Sequence, residues 1–288
     1  MAALAPGSAD ISLLSQYVAE ACCIHLGEEK GYLFEARLGS IIAQSGAANI
    51  AEFVRLARTD PTHRLRDRIV DAMTTHETYW FRDERPWASL RNTLLPALAA
   101  QLASTGRLRI RILCAACSTG QEPYSLAMLI DTLAAEGKLG GVRPEQFEII
   151  GTDVSAGTLM LANNGRYNQI EIVRGLAEHW RQRYFTSNGP IWSISETIRK
   201  RVAFKKHNLQ DDLKPFGQFD LLLCRNVAIY FKADFKARLF DRLAAAILPG
   251  GHLLLGGSES LLTHQELFAS AAIGDAIFYR RKPSPSSS

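Results

Sequence analysis

The chain has 288 residues, enough for one large domain or two modest ones with a well-filled core. Its 47% hydrophobic and 22% charged composition is that of an ordinary globular protein, and a net charge of +4 is too mild to imply nucleic acid. The 5 cysteines (Cys22, Cys23, Cys114, Cys117 and Cys224) form an odd, scattered set, which argues against a secreted disulfide framework. The opening "MAALAPGSADIS" lacks the basic start and apolar core of a signal peptide. No run reaches the roughly 18 apolar residues of a membrane span. These features lead to the expectation of a cytoplasmic protein with neither membrane insertion nor a nucleic-acid partner.

Residues 10–75 carry helical periodicity only. Leu13, Leu14, Tyr17, Val18 and Ala21 repeat at the spacing of one helical face, with Asp10 in place to cap it. Phe34, Leu38, Ile41 and Ile42 form a second stripe. Ile50, Phe53, Val54 and Ala57 form a third behind Asn49 as cap, and Leu65, Ile69 and Met73 suggest a fourth helix. Within this stretch Arg37, Arg55, Arg58, Arg64, Arg66 and Arg68 outweigh Glu52, Asp60 and Asp67. That pattern admits two readings, a solvated face or a dock for an acidic partner.

From about Pro86 the pattern changes. The runs "RIRILCA", "FEIIGTD", "VAFKKHNL", "FDLLLCRN" and "HLLLGGSES" alternate with helical stretches. Apolar runs of this length are those of buried parallel strands, so the class is α/β with a mostly parallel, doubly wound sheet. Before the third run, "RQRYF", "NGP" and "WSIS" read as extended pieces around a turn, a small antiparallel appendage. The tail "KPSPSSS" is of low complexity and expected to be disordered.

Such sheets bind ligands beyond the carboxyl ends of their strands, so the residues just after each strand are the informative ones. After the first come Ser118, Thr119, Gly120, Gln121 and Glu122. No lysine follows Gly120, and Glu122 would repel a phosphate, which argues against both the P-loop and the G-x-G-x-x-G dinucleotide pattern. A carboxylate there suits an ammonium or sulfonium ligand, or else serves only the helix dipole. Asp153 ends the second strand, where α/β nucleotide sites place an acid on the ribose. Two acids without a phosphate cradle describe a nucleoside bearing a cationic amino-acid tail, which is S-adenosylmethionine. Asn208 and Leu209 end the third strand and suit an adenine edge and face, while Arg225, Asn226 and Tyr230 follow the fourth. Cys114 and Cys117 form a C-x-x-C with no second ligand pair at metal spacing, so they read as packing, and no metal is expected.

Four motifs, "TTHETYWFR" (74–82), "CSTGQEPYSLA" (117–127), "GTDVS" (151–155) and "CRNVAIYF" (224–231), together resemble the chemotaxis receptor methyltransferase family, CheR-type. The resemblance covers almost the whole chain. It implies a Rossmann-like S-adenosylmethionine-dependent methyltransferase domain, an all-helical N-terminal domain and a small antiparallel β appendage. It also implies a division into residues 1–75 for receptor recognition, a linker over 76–90, and 91–283 for methyl transfer with the appendage near 180–200, before a tail at 284–288. The implied reaction converts glutamates on chemoreceptor cytoplasmic helices to methyl esters and yields S-adenosylhomocysteine. By motif match, Glu122 would hold the methionine ammonium, Asp153 the ribose, and Asn208, Leu209, Arg225 and Asn226 the remainder of the cofactor. His76, Thr78 and Arg82 would reach the cofactor and the catalytic centre from the linker, with Arg82 and Tyr230 serving catalysis. The family commonly has asparagine where this chain has His76. The turn "TSNGPIWS" is also short beside members whose appendage grips a receptor-tail pentapeptide, so a tether is not expected to be required.

Overall fold

The computed structural model describes residues 7–261 and 264–283, so the tail at 284–288 lies outside the described residues. The four expected helices are present: α1 (Ser8–Cys22), α2 (Gly31–Ser45), α3 (Ile50–Thr59) and α4 (Arg64–Met73). Their stripes close on one another through Leu14, Val18, Phe34, Leu38, Phe53 and Ile69, all essentially without exposure. Asn49 caps α3 as its position suggested, its Oδ1 accepting the Glu52 N–H at 2.9 Å, a contact typically worth about 1 kcal/mol. Asp10 is not the cap of α1. Gly7 holds that position, and Asp10 accepts its N–H at 3.2 Å from inside the first turn.

Much of the basic stretch is occupied within this bundle. Arg37 donates to the Met73 carbonyl at 3.3 Å, Arg68 to Gln44 at 2.6 Å, and Arg58 pairs with Glu20 at 2.7 Å. Arg55 pairs with Glu52 at 3.4 Å, yet the side chains of Arg55 and Arg58 stay 61% and 44% exposed.

An extended segment leads from α4 into α5 (Glu84–Ser89), which continues through a wide turn at Leu90–Leu94 into α6 (Leu95–Thr105). Then come β1 (Ile110–Ala115), α7 (Gln121–Ala135), β2 (Phe147–Asp153) and α8 (Ala156–Asn164). A small excursion follows: β3 (Arg166–Asn168), α9 (Gln169–Val173), α10 (Glu178–Tyr184), β4 (Phe185–Asn188), β5 (Ile191–Ile194) and α11 (Glu196–Arg199). The chain then returns through β6 (Val202–Lys206), β7 (Phe219–Cys224), α12 (Ala233–Ala246), β8 (Ile247–Leu255), β9 (Phe268–Ile273) and β10 (Ala276–Arg281).

The main sheet has the order β6-β2-β1-β7-β8-β10-β9. The first five strands in that order are parallel, with Ile112 facing Ile149 on one side and Leu221 on the other. Alternation along β1 and β7 feeds two cores: Ile112, Leu221 and Leu223 pack on one face, Leu113 and Leu222 on the other. Buried Asp220 in β7 is satisfied by Arg107 at 2.6 Å and by the Arg111 N–H at 2.8 Å, a structural arrangement.

Three features depart from the expectation. The sheet ends in two antiparallel strands, β10 and β9, with Phe278 wholly buried between the layers. The appendage has three strands in the order β3-β5-β4, one of them from "RYN". And "RQRYF" is mostly helical: Trp180 and Tyr184, one turn apart, stack at 5.8 Å, and Tyr184 is buried with its hydroxyl donating to Asp131 at 2.9 Å. That tertiary contact rewards helix over strand.

Among the described residues no helix is long and apolar enough to cross a membrane.

Candidate active site

The sheet reverses its strand order between β1 and β7, and the crevice beyond their carboxyl ends opens into a cavity with about 980 Å³ of empty space, its mouth included. Every residue to which the family resemblance gave a role lines it: His76, Thr78, Arg82, Glu122, Asp153, Asn208, Leu209, Arg225, Asn226 and Tyr230.

The loop after β1 is held in a backbone shape that few residues adopt. Ala116 and Ser118 have φ of 55° and 51°, and Gly120 has φ of 91°. A Cβ at Gly120 would lie 3.0 Å from the Ala162 Cβ, so glycine answers both the torsion and the crowding. Asp153 fixes this loop to the next one, accepting the Ser118 N–H at 2.8 Å and the Ser155 N–H at 3.0 Å. Burial pushes its carboxyl above the usual range, against those two hydrogen bonds. From the appendage, the Tyr167 hydroxyl donates to the Thr119 carbonyl at 2.9 Å.

Glu122 opens α7 and faces Arg225, whose Nη1 donates to Glu122 Oε2 at 2.9 Å. Arg225 Nη2 donates to Asp83 Oδ2 and to the Arg82 carbonyl, each at 2.7 Å. The Arg225 side chain is 2% exposed and that of Glu122 13%. Burial raises the Glu122 carboxyl, with the Arg225 guanidinium pulling the other way. Arg82 has its backbone pinned, since its carbonyl also accepts Trp87 Nε1–H at 2.9 Å, and its guanidinium lies over the Tyr79 ring at 5.3 Å. Tyr230 stands at the mouth, 40% exposed.

Not every lining residue offers its side chain. Asn208 Nδ2 donates to the Ala21 carbonyl of α1 at 2.8 Å, and its Oδ1 accepts the Gln210 N–H at 3.1 Å, so its amide ties the sheet to the helical bundle. The Leu209 carbonyl is held by Arg242 Nη2 at 2.7 Å. The His76 ring Nε2 lies 3.0 Å from both the Asp71 carbonyl and Thr74 Oγ1. A carbonyl can only accept, so the bond to Asp71 puts a proton on Nε2. Asn226 takes φ of 58°, its N–H given to Glu259 Oε2 at 2.8 Å.

Sequence reading missed Glu259, which gathers the N–H groups of Asn226, Val227 and Gly256 on one carboxylate. An acid just past a strand end was the available signal. It also missed Asp83, and Cys22 and Ile24, which bring the end of α1 into the cavity wall. Cys114 and Cys117 are fully enclosed, burial lifting both thiols well above their ordinary range, as suits packing residues.

The cavity fits a nucleoside with a cationic tail on two observations of its own. Its acids stand at adjacent strand ends with no basic phosphate cradle between them, and two lining residues, Arg225 and His207, keep buried ring or guanidinium nitrogens without a protein partner.

Comparison with known proteins gives the family. The family described as CheR methyltransferase, SAM binding domain, matches residues 76–276, and the CheR methyltransferase all-alpha domain matches residues 9–74. Chemotaxis protein methyltransferase Cher2 of Pseudomonas putida is 37% identical over 280 residues, 97% of this chain and 100% of the relative. Chemotaxis protein methyltransferase 1 of Pseudomonas aeruginosa is 39% identical with the same coverage, and that of Vibrio cholerae 36% identical over 93% of this chain and 94% of the relative. The chain belongs to the CheR methyltransferase family and is an S-adenosylmethionine-dependent methyltransferase, its cofactor-binding domain spanning residues 76–276 behind an all-helical domain.

Proposed function

We propose that the protein esterifies glutamate side chains on the cytoplasmic helices of chemoreceptors, a reversible tuning of sensory adaptation carried out in the cytoplasm. The observation that carries this reading is the cavity's composition: two enclosed acids for the cofactor within, and an arginine and a tyrosine at the mouth for an anionic acceptor. Near full-length similarity to proteins named for chemotaxis supports it.

In this reading Glu122 Oε1 takes the methionine ammonium, Asp153 the ribose hydroxyls, and Leu209 the adenine face. The side-chain amide of Asn208 is engaged elsewhere, so its contribution to adenine is made by the backbone. His76, Thr78 and Asn226 complete the wall, while Arg225 serves Glu122. Bound S-adenosylmethionine supplies an electrophilic methyl group on its sulfonium. A glutamate side chain, with a pKa of about 4.3, is already ionised at neutral pH, so the protein needs no general base. Its work is alignment and exclusion of water. Arg82 steers the carboxylate and Tyr230 donates a hydrogen bond that fixes its angle. An arginine bound tightly to the attacking oxygen would blunt it, which favours orientation over ion pairing.

Residues 1–75 provide receptor recognition, 76–90 the active-site linker and 91–283 the methyl-transfer body. Arg55 and Arg58 are the exposed basic pair for an acidic helix. The β4–β5 hairpin turns at Gly189 with four-residue strands, which supports docking without a tail-peptide tether.

The test is incubation with methyl-labelled cofactor and receptor cytoplasmic fragments, with and without the receptor's C-terminal tail. Base-labile label should enter both fragments. Arg55→Glu with Arg58→Glu should raise the KM for receptor severalfold and leave S-adenosylhomocysteine affinity unchanged, with a loss that shrinks as salt screens exposed charge beyond about 8–10 Å. No incorporation into any receptor fragment alongside normal cofactor binding would overturn the substrate assignment. Labelling that survives the charge reversal but needs the tail would overturn the docking assignment.

A pH dependence follows from the buried acids. Cofactor affinity needs ionised Glu122 and Asp153, and burial raises both carboxyls. Affinity should therefore begin to fall, as pH is lowered from about 8, before an ordinary carboxylate of pKa about 4 would titrate. The stability sign is opposite. A carboxyl raised in the folded state penalises folding above that pKa, and the penalty is relieved on acidification. These two groups thus favour the folded apoprotein as pH falls, so the melting temperature measured alongside calorimetry separates lost affinity from unfolding.

A further inference from the structure

Arg225 is the most enclosed cation of the cavity, and its donors are unevenly shared. Nη1 reaches one oxygen of Glu122, and Nη2 goes to Asp83 and to the Arg82 carbonyl. Guanidinium and carboxylate forks match each other, so an arginine–glutamate pair left alone favours two parallel bonds. Here the second bond is not made. Among the described residues nothing donates to Glu122 Oε1, and the Glu122 side chain is enclosed but not sealed, at 13% exposure. Asp83 sits at the start of α5 with φ of 63°, between the helical bundle and the sheet, and its carboxylate holds the far edge of the guanidinium at 2.7 Å.

We propose that Asp83 is a positioning residue for cofactor binding: it draws Arg225 Nη2 aside, keeps Arg225 on a single oxygen of Glu122, and leaves Oε1 for the cofactor's ammonium. The inference rests on the reading of Glu122 as the ammonium's partner. Charge argues the same way. One guanidinium between two carboxylates leaves the trio with one negative charge in excess, which a cationic group neutralises. Without Asp83, Arg225 and Glu122 would close on each other as a neutral pair and compete with the ligand. Asp83 reaches Glu122 only through Arg225, which makes its role separable from general support of the segment.

The test is a double-mutant cycle read by calorimetry with S-adenosylhomocysteine, which carries the same ammonium. Asp83→Asn keeps the shape of the side chain and one acceptor while removing the charge. It should weaken binding about tenfold in the parent protein and less than about twofold in a Glu122→Gln background, because coupled residues are non-additive. Asp83→Glu, which keeps the charge on a longer arm, should recover most of the lost affinity. An equal fold-loss from Asp83→Asn in both backgrounds, or no loss in either, overturns the positioning role while leaving Glu122 as the ammonium's partner. Parent-like binding by Glu122→Gln alone overturns the Glu122 reading, and the proposal with it.

Discussion

Arg82→Ala should lower turnover about a hundredfold or more while weakening S-adenosylhomocysteine binding far less, the signature of an interaction made mainly in the transition state. The expectation comes from how the residue is mounted. Its carbonyl is pinned by Arg225 and by the Trp87 indole, so the backbone does not depend on the side chain. Its guanidinium makes one long bond, 3.3 Å to the Glu77 carbonyl, and rests on the Tyr79 ring, where Arg174 lies on the same ring at 4.9 Å. Removing it leaves no buried group unpaired, and Arg174 remains to cover the ring. Tyr230→Phe should act in the same direction and less strongly, roughly tenfold, because it deletes one hydrogen bond from an uncharged donor where Arg82→Ala removes a full charge. Its hydroxyl has no protein partner among the described residues, so the melting temperature should not move. Rapid-quench measurement of methyl transfer beside calorimetry checks both. An equal loss of turnover and affinity would make Arg82 a cofactor-binding residue only.

Asp153→Ala has the larger consequence for binding. The carboxylate joins two loops through the Ser118 and Ser155 N–H groups, and both donors would be orphaned in a buried place. Each orphaned buried donor costs roughly 1–3 kcal/mol, and loss of a charge-assisted bond to a ribose a further 1.5–3 kcal/mol or so. S-adenosylhomocysteine affinity should therefore fall at least about tenfold to a hundredfold, with a lowered melting temperature. Asp153→Asn retains one acceptor and should recover part of the stability but little of the affinity. Unchanged affinity in the alanine variant would remove Asp153 from the ribose.

Much of the site was legible because a single local rule governs it. In a doubly wound sheet the residues just past each strand face the ligand, so Glu122, Asp153, Asn208 and Arg225 could be found from strand ends alone. The bundle was legible for a similar reason: a 3.6-residue period over ten or more residues has no other stable use. What escaped depends on distant partners. Asp83 and Arg225 are 142 residues apart, so nothing local marks that pair, and Glu259, an acid just past a strand end, meets its partner Asn226 only across 33 residues. "RQRYF" looked extended because its aromatic residues suit strands, whereas its arginines and glutamine suit a helix and packing of Trp180 on Phe81 and Tyr184 supports one. The antiparallel edge, "FASAAI" and "AIFYRR", is too weakly alternating to declare its direction.

The Asn208 amide, bonded to the last turn of α1, joins the helical bundle to the sheet at the wall of the cavity, where the bundle contributes Cys22 and Ile24, and Lys206 paired with Asp67 at 2.6 Å and Gln210 donating to the Glu20 carbonyl at 3.0 Å add to the same seam. Thermodynamic linkage then runs both ways: whatever the seated bundle adds to cofactor affinity, the cofactor returns, by the same factor, to the seating of the bundle. A partner that held the bundle in that seat would raise cofactor affinity by the factor with which the cofactor tightens its hold.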